Sequence, residues 1–419
     1  MKRHHKTRWF LLAALVAVFA LVAASCGDDD DDATEASPTT TAAPATTAAP
    51  ADPEPEPEPA AEPEPAAEPE PAAEPEPAAE PEPEPAPAPA EDLRIAVISD
   101  AEPLYGGWYL SMDLGREHLI ENVDGIVVDA VYNVPFGQVG QRTIEDLAID
   151  GYDLIIGTST FNAEFSAVAP DYPDTLFLHS CDVTILENMS QYCVAAEQGR
   201  YVDGVLAASL SESGKIGYVY GFAIPVVIKS LNAFVVGART VNPDIVVEVI
   251  GTNSWFDPTL ERQAAESLVN NGADVLTYDL SSSAVPEVAS ENGLPFVGFG
   301  YDDAASQAPD AWVGGSLYNW GALFVDEVEA LKAGAWESTY VYGGYELGYL
   351  RYTELSDRVP ADVQAAVEAA LEGLRSEQIV PLAGPITDRD GNTVVAEGEA
   401  ADPGPCCTWV IEGVVGDVE

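Results

Sequence analysis

Six aromatic residues stand where strand-like runs give way to loops, and they are the side chains with the most to offer chemically. Trp108 and Tyr109 follow the first such run, Phe161 the third, Trp255 and Phe256 a later one, and Trp320 one further on. A ring stacked on a planar base contributes about 1–3 kcal/mol. Polar groups stand in loops of the same kind: Asp100, Asn253, Ser282, Asp302 and Asn319. Carboxylates, amides and hydroxyls at such positions choose among ligands by the donors and acceptors they meet. Catalysis has far less to stand on. Beyond residue 25 the histidines are His118 and His179, and there is no metal-spaced cluster, GxSxG elbow or phosphate-cradling loop. No catalytic residue, metal or cofactor is expected. His118 reads as a helix-surface residue, and His179, beside Ser180 and Asp182, as structural or ligand-touching.

These loops need a scaffold, and the chain supplies one in two series. Leu93–Ile98, Ile126–Val131, Asp153–Gly157 and Thr175–Leu178 read as strands, each followed by a loop and an amphipathic stretch. A second series runs through Lys215–Tyr220, Ile245–Ile250, Val275–Tyr278 and Pro295–Phe299. Alternation of this kind predicts an α/β protein with two doubly wound parallel sheets. Ligands of such sheets lie beyond the carboxyl ends of the strands, which is where the aromatics fall.

The first ninety residues read differently. Lys2, Arg3, Lys6 and Arg8 precede an apolar run from Trp9 to Ala24, and Ala24-Ser25-Cys26 ends it. The run is short for a span of a ~30 Å hydrocarbon core. Its charged, apolar and small-residue zones follow the order of an export signal, expected to occupy residues 1–25. An uncleaved anchor helix is the competing reading. Apart from Cys26, Gly27 and Ser37, residues 26–92 are Asp, Thr, Ala, Pro and Glu, with no large aliphatic or aromatic side chain to build a core, so they are expected to stay disordered. Glu62-Pro63-Glu64-Pro65-Ala66-Ala67 recurs with period six through Ala79. In polyproline II geometry residues 52–90 would reach roughly 120 Å, the dimensions of a tether.

Charge excludes one class of partner. Of 71 acidic residues 21 lie between Asp28 and Asp92, and four of 17 basic ones precede residue 25, leaving 50 acidic against 13 basic in the body. So negative a surface repels nucleic acid. The cysteines suit an oxidising exterior. Cys181 and Cys193 frame a short loop that a disulfide could close, whereas the vicinal Cys406 and Cys407 leave free thiols or a bond elsewhere open.

Several pieces in fixed order carry a resemblance. They are Gly151-Tyr152-Asp153-Leu154-Ile155-Ile156-Gly157, Gly199-Arg200-Tyr201, Lys215-Ile216-Gly217-Tyr218-Val219, Ile224-Pro225-Val226-Val227 and Val241-Asn242-Pro243-Asp244. Asn253 to Pro258, Asn270 to Val275, Gly384-Pro385-Ile386 and Glu412 to Gly416 continue the series. Together they resemble the basic membrane protein (PnrA-like) family of ABC-transporter substrate-binding lipoproteins over roughly residues 94–416. The Ala-Ser-Cys end of the signal likewise resembles a bacterial lipobox, which implies lipid on Cys26 and attachment to the outer face of the cell membrane.

The resemblance implies a type I periplasmic-binding-protein fold of two lobes joined by a hinge. One lobe is expected from 93–197 plus 302–334 and the other from 198–301 plus 335–419, with hinges near Glu197, Tyr301 and Gly334. It also implies a monomeric receptor, not an enzyme, that carries a purine nucleobase or nucleoside to an ABC permease and its ATPase. Asp302 falls where the family carries its ligand aspartate, and Asp100 corresponds less closely to its first-loop aspartate. Trp108, Trp255 and Trp320 match tryptophans of one subgroup. Asn319 replaces a lysine that in nucleoside-binding members reaches the ligand, which favours a free base. A sugar or other small polar solute on the same fold, and a sensor or interaction lipoprotein without transport, are the alternatives.

Overall fold

The computed structural model describes residues 92–301, 303–402 and 407–418. The expected signal, Cys26, the tether up to residue 91, Asp302 and Cys406 lie outside the described residues.

Fifteen strands and ten α-helices follow one another along the described chain. The first sheet holds β1 (Leu93–Ile98), β2 (Ile126–Val131), β3 (Leu154–Gly157), β4 (Leu176–Ser180), β5 (Met189–Val194) and, much later in sequence, β11 (Tyr340–Gly343). Their order is β11-β5-β4-β3-β1-β2, and every pairing is parallel. The second sheet runs β12-β10-β9-β8-β6-β7-β15. It consists of β6 (Lys215–Tyr220), β7 (Val246–Gly251), β8 (Val275–Asp279), β9 (Phe296–Gly300), β10 (Trp312–Tyr318), β12 (Leu350–Tyr352) and β15 (Val414–Val415). Only β12 is antiparallel to its neighbour. The tail adds a small ribbon of β13 (Ile386–Thr387) and β14 (Thr393–Val395).

Central strands are buried from end to end, which is why they read as unbroken apolar runs: β3 and β9 expose no residue. Helices α1 (Gly107–Asn122), α2 (Gln138–Ile149) and α3 (Asn162–Val168) connect the early strands. Then come α4 (Ala196–Leu210), α5 (Pro225–Val241), α6 (Pro258–Asn270), α7 (Ala284–Glu291), the short α8 (Asp303–Gln307), α9 (Trp320–Lys332) and α10 (Ala361–Arg375). Two glycines set the crossing of α4 on α5. A Cβ on Gly204 would fall 2.0 Å from the Phe234 carbonyl oxygen, and one on Gly237 2.0 Å from that of Tyr201. The close approach seats the buried face of α4, Arg200 included, against the second sheet.

The segment 302–334, expected whole in the first lobe, is divided. β10 pairs in parallel with β9 and so stays in the second sheet. The chain returns to the first lobe only with α9, where Trp320 Nε1 donates to Ser111 Oγ at 3.2 Å and Lys332 Nζ to the Asp124 carbonyl at 2.8 Å. β11 then joins the first sheet and β12 the second. The crossings therefore fall at 194–196, 318–320 and 343–350, the last two later than expected. Among the described residues no helix is long and apolar enough to cross a membrane.

Candidate functional site

The loops at the carboxyl ends of both sheets face one another across a cleft of about 210 Å³. From the first lobe come Asp100 after β1, Trp108 and Tyr109 at the start of α1, Phe136 after β2, Ser159 and Thr160 after β3, and Ser180 and Cys181 at the end of β4. From the second come Ile224 and Val227 at the start of α5, Trp255 after β7, Asp279 at the end of β8, Ser281 after it, and Phe299 on β9. Tyr318 and Trp320 close the floor at a crossing.

Aromatic packing fixes the first-lobe wall. The Trp108 ring lies edge-to-face with Tyr318, centroids 5.7 Å apart, and with Trp320 at 5.2 Å. Its Nε1–H donates to the Thr158 carbonyl at 2.7 Å, so the indole is held by both its apolar body and its polar tip. Trp255 meets Phe222 at 5.1 Å and stands on Gly221, where a Cβ would come 2.5 Å from its ring.

Among the described residues two carboxylates line the cleft, one from each lobe. Asp100 is engaged by its own lobe: Tyr109 Oη donates to Oδ2 at 3.3 Å, and Ser159 Oγ donates to Oδ1. Asp279 has its pKa pushed up to about 6 by burial, which the Arg200 charge and the Tyr218 hydroxyl only partly oppose. No Lys, Arg or His is among the described residues lining the cleft.

Arg200 is the electrostatic anchor of the second lobe. It is 0% exposed and lies over the rings of Tyr218, Phe234 and Phe299 at 4.6, 4.9 and 4.3 Å. Nη1 donates to Asp203 Oδ2 at 3.3 Å and to Thr277 Oγ1 at 3.2 Å. The Ser316 amide and hydroxyl donate to Asp203 at 3.0 and 2.7 Å. Even so, desolvation raises the Asp203 pKa to about 6. Where the lobes cross, Lys229 of α5 lies 3.3 Å from Glu197 and donates to the Tyr342 hydroxyl of β11 at 2.7 Å, tying second lobe to first.

Of the residues singled out from sequence, the structure brings Asp100, Trp108, Tyr109, Trp255 and Trp320 to the cleft. Phe161 is not there. It is fully buried in the first-lobe core, 4.9 Å from Phe136, and Phe136, 49% exposed, supplies the ring at the wall instead. Asn319 donates to the Gly348 carbonyl at 2.7 Å and so joins two crossing segments. Ser282 is buried and donates to Glu261 Oε2 at 2.5 Å. Asn253 is an exposed loop residue with φ of 53°. His179 is buried beneath the wall, Nδ1 3.0 Å from Gln191 Oε1, and burial lowers its pKa. Cys181 and Cys193 are disulfide-bonded beside the cleft, and Cys407 is also disulfide-bonded. Sequence reasoning missed Phe136 and Asp279, although the strand-end rule that found the tryptophans applies to both.

Two parallel α/β lobes, three chain crossings and one ring-lined cleft between them define a solute-binding protein of the periplasmic-binding-protein class. The family model described as ABC transporter substrate-binding protein PnrA-like matches residues 94–381, and the chain belongs to that family. A purine-binding protein of Brucella abortus is 33% identical over 314 residues, covering 74% of this chain and 89% of its own. A putative ABC transporter glucose-binding protein of Haloferax volcanii is 30% identical over 319 residues, with 74% and 78% covered. The fold is shared with an ABC-transporter solute-binding protein of Conexibacter woesei at a TM-score of 0.58 and 23% identity, over 69% of this chain and 98% of that one. Family membership gives the chain a small-molecule ligand, a transporter permease as partner and a place outside the cytoplasm.

Proposed function

We propose that the chain captures a neutral purine base or nucleoside between its lobes and delivers it to the permease of an ABC importer. One observation carries this reading: Trp108 and Trp255, from opposite lobes, line a single cleft that holds carboxylate and hydroxyl groups and no cationic side chain among the described residues. Rings on two lobes suit a flat ligand that bridges them, and the absence of a basic group disfavours phosphorylated or carboxylated solutes. The name of the Brucella relative supports the purine. The lipid on Cys26 and the extended tether belong to the same proposal, holding the receptor near its permease.

Closure supplies the signal, because the ligand favours whichever lobe arrangement it contacts best. Gly107 on α1 touches the second lobe: a Cβ there would lie 2.5 Å from Ser281 Cα, and φ is +55°. Alanine at 107 adds about 1–2 kcal/mol of backbone strain and props the lobes apart. Gly107→Ala is expected to weaken ligand binding about tenfold or more and to enlarge the ligand-bound particle in small-angle scattering; unchanged affinity and size would remove this contact from the closing mechanism.

A thermal-shift panel of nucleobases, nucleosides, sugars and amino acids tests the ligand class. Ligand at a hundred times its dissociation constant adds ~2.7 kcal/mol of stability. Shifts with purines are expected. Trp255→Ala and Trp108→Ala should each weaken the bound purine at least about tenfold, given ~1–3 kcal/mol per stacked base. Unchanged affinity in both variants would sink the assignment. The name of the Haloferax relative makes a sugar the second reading, and shifts with sugars alone would select it.

A further inference from the structure

Resting on the interlobe binding site just described, a further assignment concerns Asp279. The side chain ends β8, lines the second-lobe wall and feels the charge of Arg200, which is not among the cleft-lining residues. Asp100 across the cleft offers less. Both of its oxygens already accept hydrogen bonds from Tyr109 and Ser159 of its own lobe. An ionised carboxylate is acceptor-only, with about four lone-pair sites, and inside a closing cleft those sites must be met by donors. Hydroxyls of Thr160, Ser230 and Ser281 line the same space and can serve either role, whereas those of Ser159 and Ser180 already donate to Asp100 and to the Ser159 carbonyl. The unambiguous demand for donors on the second-lobe wall therefore comes from Asp279.

We propose that Asp279 is a specificity-determining residue that selects ligands presenting two adjacent hydrogen-bond donors, which its two oxygens accept side by side. Two sources carry that chemistry in a purine ligand. One is a base edge with neighbouring ring and exocyclic N–H groups, as in guanine; the other is the cis-diol of a ribose. A ligand seated on Trp108 of the first lobe reaches Asp279 only when the lobes close, so this contact contributes to the closed state in particular. Arg200 has a part as well. Its charge favours the ionised, acceptor form of Asp279, while the guanidinium is not among the cleft-lining residues.

The test is calorimetric titration of the purified chain and of Asp279→Asn with guanine, guanosine, adenosine and 9-methylpurine, which has neither an N–H donor nor a hydroxyl. A charge-assisted hydrogen bond contributes about 1.5–3 kcal/mol, so the variant should lose roughly ten- to hundredfold on a ligand with paired donors. On 9-methylpurine it should change less than about threefold. Loss with guanine and not adenosine assigns the base edge; loss with adenosine and not guanine assigns the diol; either supports the proposal. An equal wild-type-to-variant ratio for every ligand overturns it while leaving purine binding intact. If the wild type binds sugars and no purine, the purine reading fails. The same variant is then titrated with the bound sugar, and loss of its diol contact supports the donor rule, whereas unchanged affinity overturns it. Asp279→Ala, with melting curves for both variants, separates lost recognition from lost folding. Silence of the folded wild type towards both panels overturns the two readings together.

Discussion

Replacing Arg200 with methionine is expected to destabilise the second lobe by about 3–5 kcal/mol, the usual result of removing one partner from a buried ion pair. The guanidinium is enclosed by three rings and bonded to Asp203 and Thr277. Methionine fills much of the same volume, so little of the loss comes from a cavity. What is lost is the positive charge that, among the described residues, acts on both Asp203 and Asp279. Two carboxylates would remain in a desolvated region, and each escapes only by taking up a proton. The defect should therefore be largest near pH 7.5 and smaller near pH 5, where those protons are more readily available. Urea unfolding of the purified variant and wild type at both pH values measures it. A difference under about 1 kcal/mol at pH 7.5 would mean that the pair does not anchor this lobe.

Arg200 also shows why the sequence displays its scaffold more openly than its electrostatics. The strands were legible because both faces are buried: Leu154–Gly157 and Phe296–Gly300 have no solvent side and so no polar alternation. The crossings were not. β10 reads Trp-Val-Gly-Gly-Ser-Leu-Tyr, and its paired glycines weaken the apolar pattern that would have marked it as a strand of the second sheet. Gly315 is there because β9 runs too close for a side chain, with a Cβ falling 2.3 Å from the Gly298 carbonyl oxygen. That spacing exists only once the sheet is assembled.

Within the cleft, tryptophans were found because a strand end followed by a large ring is rare enough to notice. Phe161 satisfied the same rule and turned inward, since the first-lobe core had room for it and Phe136 covered the opening. Ser282 and Asn319 have their polar atoms bonded within the fold, to Glu261 and Gly348. Asp279 was hidden for the opposite reason. In a chain with 71 acidic residues another aspartate carries almost no information, and only its position in front of a buried arginine distinguishes it.

That position has a consequence for stability. Asp279→Asn is expected to make the unliganded protein more stable at neutral pH while making it a poorer receptor. The folded-state pKa of Asp279 is raised from 3.8 to about 6. The native protein therefore binds a proton there more tightly than the unfolded chain does, and stability falls as pH rises from roughly 4 to 6. Above that window the ionised side chain is a standing cost of about 3 kcal/mol, since each tenfold change in proton affinity corresponds to about 1.36 kcal/mol. The groups that act on it are Arg200, Tyr218 and Tyr318, and burial outweighs the attraction of the first two. Asparagine keeps the shape and removes the charge. Its melting temperature should exceed that of wild type by several degrees at pH 7.5, and the gap should close as the buffer approaches pH 4, where the wild-type side chain is protonated too. Melting curves of both proteins without ligand, from pH 4 to 8, decide the point. A variant less stable than wild type at pH 7.5 would show that the carboxylate is structural. A more stable one that binds poorly would show that the charge is kept at the cleft for the ligand and against the fold.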